Sequence, residues 1–242
     1  MDRAKFFDRV RPLMPAKRLT AVQVKRIEAI LDGIQARGMS TARAAYALAT
    51  AHWESDRFRA LEEYASGGAY EGRKDLGNTV PGDGKRFKGR GMVMITGRRN
   101  YLDWSERLDV DFLAHPDLVS DLRYAVPILL DGMLLGTFTG KKLADYIEPD
   151  RKDYREARRI VNGTDHAADI SRLADTYEAA LKEAGYLPQS PKKPPVVPQD
   201  AREPVPACPT PAKPKSAWAG LIDAFLRMFK SIFKGGSNAD QL

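Results

Sequence analysis

The chain has 242 residues, 43% of them hydrophobic, enough to bury a core in one good-sized domain or two small ones. Its formal charge of +7 suits an anionic partner such as nucleic acid, a phospholipid surface or a bacterial envelope, without choosing among them. The single cysteine, Cys208, rules out an intramolecular disulfide, and no apolar run reaches membrane-spanning length.

Met1 to Lys17 carries basic residues but no apolar stretch of signal-peptide length, so neither export nor membrane insertion is expected. Thr20 and Gln23 form a capping-box pattern, after which Val24, Ile27, Leu31 and Ile34 recur on one helical face until Gly38. A second, alanine-rich helix begins near Ser40. Ala45, Leu48, Ala49 and His52 share its stripe, a face on which a neighbouring helix can approach closely, and its end delivers His52, Trp53 and Glu54. From Gly67 to Gly91 the character changes: eight of the nineteen glycines fall in this stretch, which predicts loop or short-strand geometry. Helical periodicity returns near Asn100 to Leu108, Leu122 to Leu135, Tyr154 to Val161 and Ile170 to Ala184, with Gly185 as the final cap.

The body is expected to span 1–187. Residues 188–215 hold ten of the sixteen prolines, a density that favours an extended, semi-rigid spacer over packing. Over 216–234, Trp218, Leu221, Ile222, Phe225, Phe229, Ile232 and Phe233 fall on one helical side, with Arg227, Lys230 and Lys234 interspersed. That is the pattern of a basic amphipathic helix, followed by a tail over 235–242. Eight basic and four acidic residues lie in 188–242, so the tail carries a net +4 and the body +3.

Glu54, at the end of an apolar helix beside Trp53 and His52, sits where partial burial raises a carboxyl pKa and keeps it protonated. Glu62 and Glu63 follow after a short connection. One neutral and one ionised carboxyl are what glycoside hydrolysis requires, on opposite sides of the sugar. Spacing alone equally allows solvated or salt-bridged glutamates, with Arg57 and Arg59 as the obvious partners. His115 and His166 fall in no ligand pattern, and neither metal nor cofactor is expected.

The adjoining residues carry more information: Ala51-His-Trp-Glu-Ser55, Ala69-Tyr-Glu-Gly-Arg-Lys-Asp-Leu-Gly-Asn78, Pro81-Gly-Asp-Gly84, Phe87-Lys-Gly-Arg-Gly91, Ile95-Thr-Gly97 and Asn100-Tyr101. In this order, with Val161-Asn-Gly163 and Ile170-Ser-Arg172, they resemble glycoside hydrolase family 19, the chitinase-like group that includes many bacteriophage endolysins. The resemblance runs from about Ala44 to Tyr186. It implies a mainly α, lysozyme-like fold around a cleft, with the glycine-rich region beside it. By the same resemblance Glu54 is the general acid and Glu63 the base that activates water for inversion, with Glu62 as the alternative base. Thr96 matches the hydroxyl that helps hold this water. Asn100 and Asn162 match substrate-contacting asparagines, and His52 and Arg90 are counted with them. Arg172 matches a late arginine that would pair with the base, although a plain helix-surface arginine fits as well. Tyr70, Phe87 and Tyr101 are candidates for stacking on sugar rings, or for ordinary core positions.

Two departures from the family pattern stand out. His52 is separated from Glu54 by Trp53 where the usual histidine directly precedes the glutamate, and Met94 stands where glutamine is common. The two carboxyls survive both changes. Chitin and peptidoglycan share β-1,4-linked amino sugars. With one cysteine and no export signal, the expectation is an endolysin that accumulates in the host cytoplasm and reaches peptidoglycan once a holin opens the inner membrane. A chitinase and a non-catalytic glycan-binding relative are the alternatives. Trp218, Phe225, Phe229 and Phe233 with Arg227 and Lys230 suit an anionic membrane or lipopolysaccharide. Docking on the body or self-association suits the same helix equally well. The basic residues are scattered among acids with no reader motif, so nucleic acid is not an expected partner.

Overall fold

The computed structural model describes residues 1–191. The spacer beyond residue 191, Cys208, the helix expected over 216–234 and the tail 235–242 lie outside the described residues. The fold is mainly helical, and among the described residues no helix is long and apolar enough to cross a membrane.

Helix α1 (Arg3–Val10) starts at Asp2, whose carboxylate accepts from the Lys5 amide at 3.0 Å, and it buries Phe6 and Val10. Helix α2 (Ala21–Ala36) starts at the expected capping box: the Gln23 amide donates to the Thr20 hydroxyl at 3.2 Å, and the Thr20 amide donates to Gln23 Oε1 at 2.9 Å. Helix α3 (Thr41–Glu54) is capped by Ser40 and buries ten of its fourteen residues. Helix α4 (Asp83–Arg86) is a single turn. Helices α5 (Arg98–Leu108) and α6 (Leu122–Leu135) follow, and α7 (Ala167–Glu183) closes with Gly185 in the left-handed region at φ +70°.

The alanine stripe of α3 lets α7 lie close along it, and this is the main helix pair of the molecule, with α1 packed on α7 and α2 on α6. Ile27, Ile30, Leu48, Ile128, Leu129, Tyr177 and Leu181 are fully buried in one continuous core. Each large apolar side chain buried there contributes about 2 kcal/mol. Residues 154–161 depart from the α-helix that periodicity predicts: only a 3₁₀ segment, Glu156–Ile160, forms. It follows a two-residue antiparallel hairpin that sequence did not suggest, β1 (Ile147–Glu148) and β2 (Arg151–Lys152), paired Ile147 to Lys152. The glycine-rich stretch holds short 3₁₀ turns at Gly68–Tyr70 and Lys74–Leu76 besides α4, and its strand character is limited to isolated bridges of Glu62 with Arg90 and Arg90 with Ile95.

Candidate active site

Glu54 is the last residue of α3, and because that helix is interior the carboxylate arrives inside the protein, 7% exposed. It accepts from the Arg158 guanidinium, which is itself 1% exposed and also donates through Nε to the Asp165 carbonyl at 3.1 Å. A buried arginine is tolerable only with an anion and carbonyls to receive its protons, and losing one partner of such a pair costs about 3–5 kcal/mol.

Directly after Glu54 the chain makes a left-handed turn. Asp56, Arg57 and Phe58 have φ of +48°, +57° and +61°, each a conformation that costs a non-glycine residue roughly 1 kcal/mol or more. Local bonds offset this: Ser55 Oγ donates to the Ala51 carbonyl at 2.5 Å and accepts from the Phe58 amide at 3.1 Å, and the Arg57 amide donates to the His52 carbonyl at 2.7 Å.

Beyond the turn the chain runs extended, held by the Glu63 amide donating to the Gly89 carbonyl and the Gly91 amide to the Leu61 carbonyl, both at 2.9 Å. Alternation along an extended segment separates the two adjacent glutamates. Glu62 points outward and is taken up by Lys88 at 2.5 Å and Arg90 at 3.6 Å. Glu63 points inward, 4% exposed; Tyr70 donates to its Oε2 at 2.8 Å, and its buried Oε1 has no hydrogen-bond partner among the described residues. Burial pushes the Glu63 carboxyl above the usual range, against the Tyr70 hydrogen bond, the Gly89 backbone and the charges of Lys88 and Arg90, which pull it down. A side chain on Gly89 would begin 3.2 Å from Glu63 Oε2 and 3.3 Å from Thr96 Oγ1, so the bare backbone lets carboxylate and hydroxyl look onto the same point. Thr96 Oγ1 donates to the Met94 carbonyl at 2.9 Å.

The remaining expected site residues divide. Tyr70 acts on Glu63 through its hydroxyl, with its ring buried. Arg90 and Tyr101 form an interior brace: Arg90 Nη1 donates to the Arg86 carbonyl at 2.8 Å and to the Tyr101 hydroxyl at 3.0 Å, which donates to the Lys88 carbonyl at 2.7 Å. Phe87 is fully buried against Tyr101. Asn100 donates to the Thr96 carbonyl at 2.6 Å, and Asn162 is buried at the end of the segment that carries Arg158. His52 turns away from Glu54 into the core, sharing a 2.8 Å hydrogen bond with Tyr177 and meeting Phe58 edge-on; burial holds its pKa down to about 4. Arg172 stands on the exposed face of α7, paired with Asp169 rather than with either glutamate.

Arg172 reaches neither glutamate, and the arginine that does enter the site, Arg158, pairs with Glu54 rather than with the expected base; sequence reasoning missed it. A signal was there: Arg158 shares a helical face with the apolar Tyr154 and Val161, a position where a charge needs a buried partner. Trp53 is half-buried with its ring 4.7 Å from that of His166, and Tyr64, directly after Glu63, is the most exposed aromatic of the region.

The glycine-rich motifs serve mainly as scaffolding. Glu71 accepts from the amides of Gly82 at 2.6 Å and Gly84 at 2.8 Å. Asp83 accepts from the Thr79 and Val80 amides and pairs with Arg98. Asn78 joins the Tyr70 carbonyl to the Arg98 amide, both at 2.9 Å. A surface cavity of about 400 Å³ lined by Val80, Pro81, Gly82, Asp83, Lys85, Arg86 and Arg98 adjoins this scaffold and includes neither buried glutamate.

No family model matches the sequence. Among solved structures, a bacterial family 19 chitinase is similar over 76% of this chain and 95% of its own, at 18% identity and a TM-score of 0.45. A mutant chitinase C is similar over 79% and 97% at 17% identity and a TM-score of 0.47, and chitinase C from Streptomyces griseus HUT6037 over 78% of each chain at 14% identity and a TM-score of 0.45.

Proposed function

We propose that this chain is a glycoside hydrolase that cuts β-1,4 bonds in the glycan strands of peptidoglycan by two-carboxylate, inverting catalysis, in the manner of a phage endolysin. The observation that carries the proposal is the pair Glu54 and Glu63: two carboxyls nine residues apart, both withdrawn from solvent, in unlike surroundings. In the resting structure Glu54 is the anion of the Arg158 pair, so in this reading it takes up a proton from solvent before it passes one to the leaving glycosidic oxygen. Glu63 takes a proton from water on the opposite face of the sugar, and Thr96 helps orient that water. Of the two candidate bases Glu63 is the better supported, since Glu62 is occupied by Lys88 and Arg90 while Glu63 keeps an unfilled acceptor and its raised pKa makes it the stronger base.

Peptidoglycan is preferred over chitin on two sequence features, the lack of any possible internal disulfide and the basic amphipathic segment over 216–234. In this reading that segment meets anionic lipid or lipopolysaccharide when the enzyme reaches the envelope from the host cytoplasm. Full-length protein is expected to release dye from anionic liposomes. Equal release by a variant carrying Phe225→Glu and Phe229→Glu would remove the membrane role.

Glu54→Gln, which leaves Arg158 without its anion, is expected to lower Tm and, in protein still folded by circular dichroism at the assay temperature, to lower turnover on purified peptidoglycan by about 10²–10⁴-fold. Wild-type lysis by that variant would reject the proposal. Mass spectrometry of the digest, through the sugar found at the new reducing ends, assigns the bond, and a parallel digest of chitin oligosaccharides tests the alternative substrate.

A further inference from the structure

The left-handed turn Asp56–Arg57–Phe58 lies between the helix that ends in Glu54 and the extended segment that carries Glu63. Its carbonyls are held from outside by one helix. From α2, Gln23 Nε2 donates to the Arg57 carbonyl at 2.8 Å, and Arg26 Nη1, one turn further on, donates to the Phe58 carbonyl at 2.7 Å. Gln23 is 2% exposed and its other amide atom is committed to Thr20, so the same side chain that starts α2 also fixes the turn. On the far side Asp56 pairs with Arg59 at 2.7 Å and accepts from the Tyr64 hydroxyl at 3.1 Å, tying the turn to the residue next to Glu63.

We infer that Gln23 and Arg26 are positioning residues: by clamping the carbonyls of this strained turn they set the placement of Glu63 relative to Glu54. This rests on the proposed function. The physical reason is that three consecutive left-handed non-glycine residues relax unless the surrounding structure over-determines them: Ser55 closes the turn internally through the amides of Phe58, Arg59 and Ala60, while Gln23 and Arg26 fix it to another element. A chain free to relax between the two carboxyls cannot hold them at the spacing the proposed reaction requires, and a misplacement of about 1 Å costs up to about 100-fold in rate. Neither Gln23 nor Arg26 touches a carboxyl, so the loss falls on turnover rather than on substrate affinity.

The test compares full-length Arg26→Ala, Arg26→Lys and Arg37→Ala on soluble peptidoglycan strands and on a chitin oligosaccharide, well below their melting temperatures. Arg37 is the control, because it lies at the other end of α2 and ties that helix to α6 through Asp131 at 2.6 Å. Arg26→Ala is expected to lower kcat about tenfold with KM within about twofold of wild type. Arg26→Lys, which keeps a donor, restores most of it, and Arg37→Ala leaves kcat unchanged although it also lowers Tm. A kcat for Arg26→Ala within twofold of wild type, or an equal loss in Arg37→Ala, overturns the inference. Should Arg26→Ala not fold, Gln23→Glu, which keeps the acceptor to Thr20 and removes the donor to Arg57, is judged by the same criteria. Hydrolysis that survives Glu54→Gln refutes the proposed function itself, whereas hydrolysis lost in Glu54→Gln and kept in Arg26→Ala refutes only the clamp.

Discussion

The two buried glutamates are held in place by opposite means. Glu54 rides on α3, whose backbone is located by apolar packing against α7, a contact made of many small dispersive terms, so that only its carboxylate depends on a single partner, Arg158. Glu63 sits in an irregular segment whose position depends on a few backbone bonds, the Tyr70 hydroxyl and the bare backbone of Gly89. Helix packing tolerates substitution by degrees, while a polar scaffold of loops fails when one close approach is lost.

The sharpest break of this contrast is expected at Gly67. It has φ +79°, and a Cβ there would lie 2.4 Å from the Gly84 carbonyl oxygen, so Gly67→Ala combines a left-handed penalty with a backbone clash that no rotamer relieves. A loss of about 2–4 kcal/mol is expected, concentrated in the loops. Hydrogen exchange checks it: amides of 61–97 should lose protection well before those of α3 and α7. Simultaneous loss in both regions would mean the scaffold and the helices unfold as one unit.

The helical side has its own weak point in His52. Its folded pKa is about 4 against 6.5 for the free side chain, so the unfolded chain binds the proton more readily. The stability tied to the neutral ring is fully present above pH 6.5 and is lost as pH falls toward 4. It amounts to at most about 3 kcal/mol. Urea titrations between pH 7 and 4 measure this slope, and His52→Gln should flatten it. A wild-type slope unchanged in that variant would assign the acid sensitivity elsewhere.

What could be read from the sequence follows the same division. Helices α2, α3, α5, α6 and α7 announce themselves through caps and 3.6-residue periodicity, since Thr20, Ser40 and Gly185 act on their nearest neighbours. Helix α1 passed unnoticed because only Phe6 and Val10 face the core, too short a stripe to stand out. The inward turn of Glu63 and the outward turn of Glu62 depend on a bridge to Arg90, distant in sequence, so neither composition nor spacing could decide between them. Arg158 and Glu54 are separated by more than a hundred residues, and the clamp of Gln23 and Arg26 on carbonyls of 57 and 58 leaves no trace in side-chain pattern at all.

The smallest effect probes the loop side without disturbing its fold. Tyr70→Phe removes one hydroxyl and keeps the ring that fills the site. That hydroxyl stabilises the ionised Glu63 and so opposes the upward push of burial; without it the carboxyl pKa rises further. In the proposed reaction Glu63 works as base only when ionised, so the acid limb of kcat/KM is expected to lie above the ordinary carboxylate range in wild type and to move to still higher pH in Tyr70→Phe. Near neutrality the rate should change by no more than about tenfold, because losing one hydrogen bond to a charged group is worth roughly 1.5–3 kcal/mol and the stronger base recovers part of that. A pH–rate profile of the two proteins on one soluble glycan gives the answer. A limb that stays fixed while the plateau falls would make Tyr70 a contact to sugar instead of a partner of Glu63.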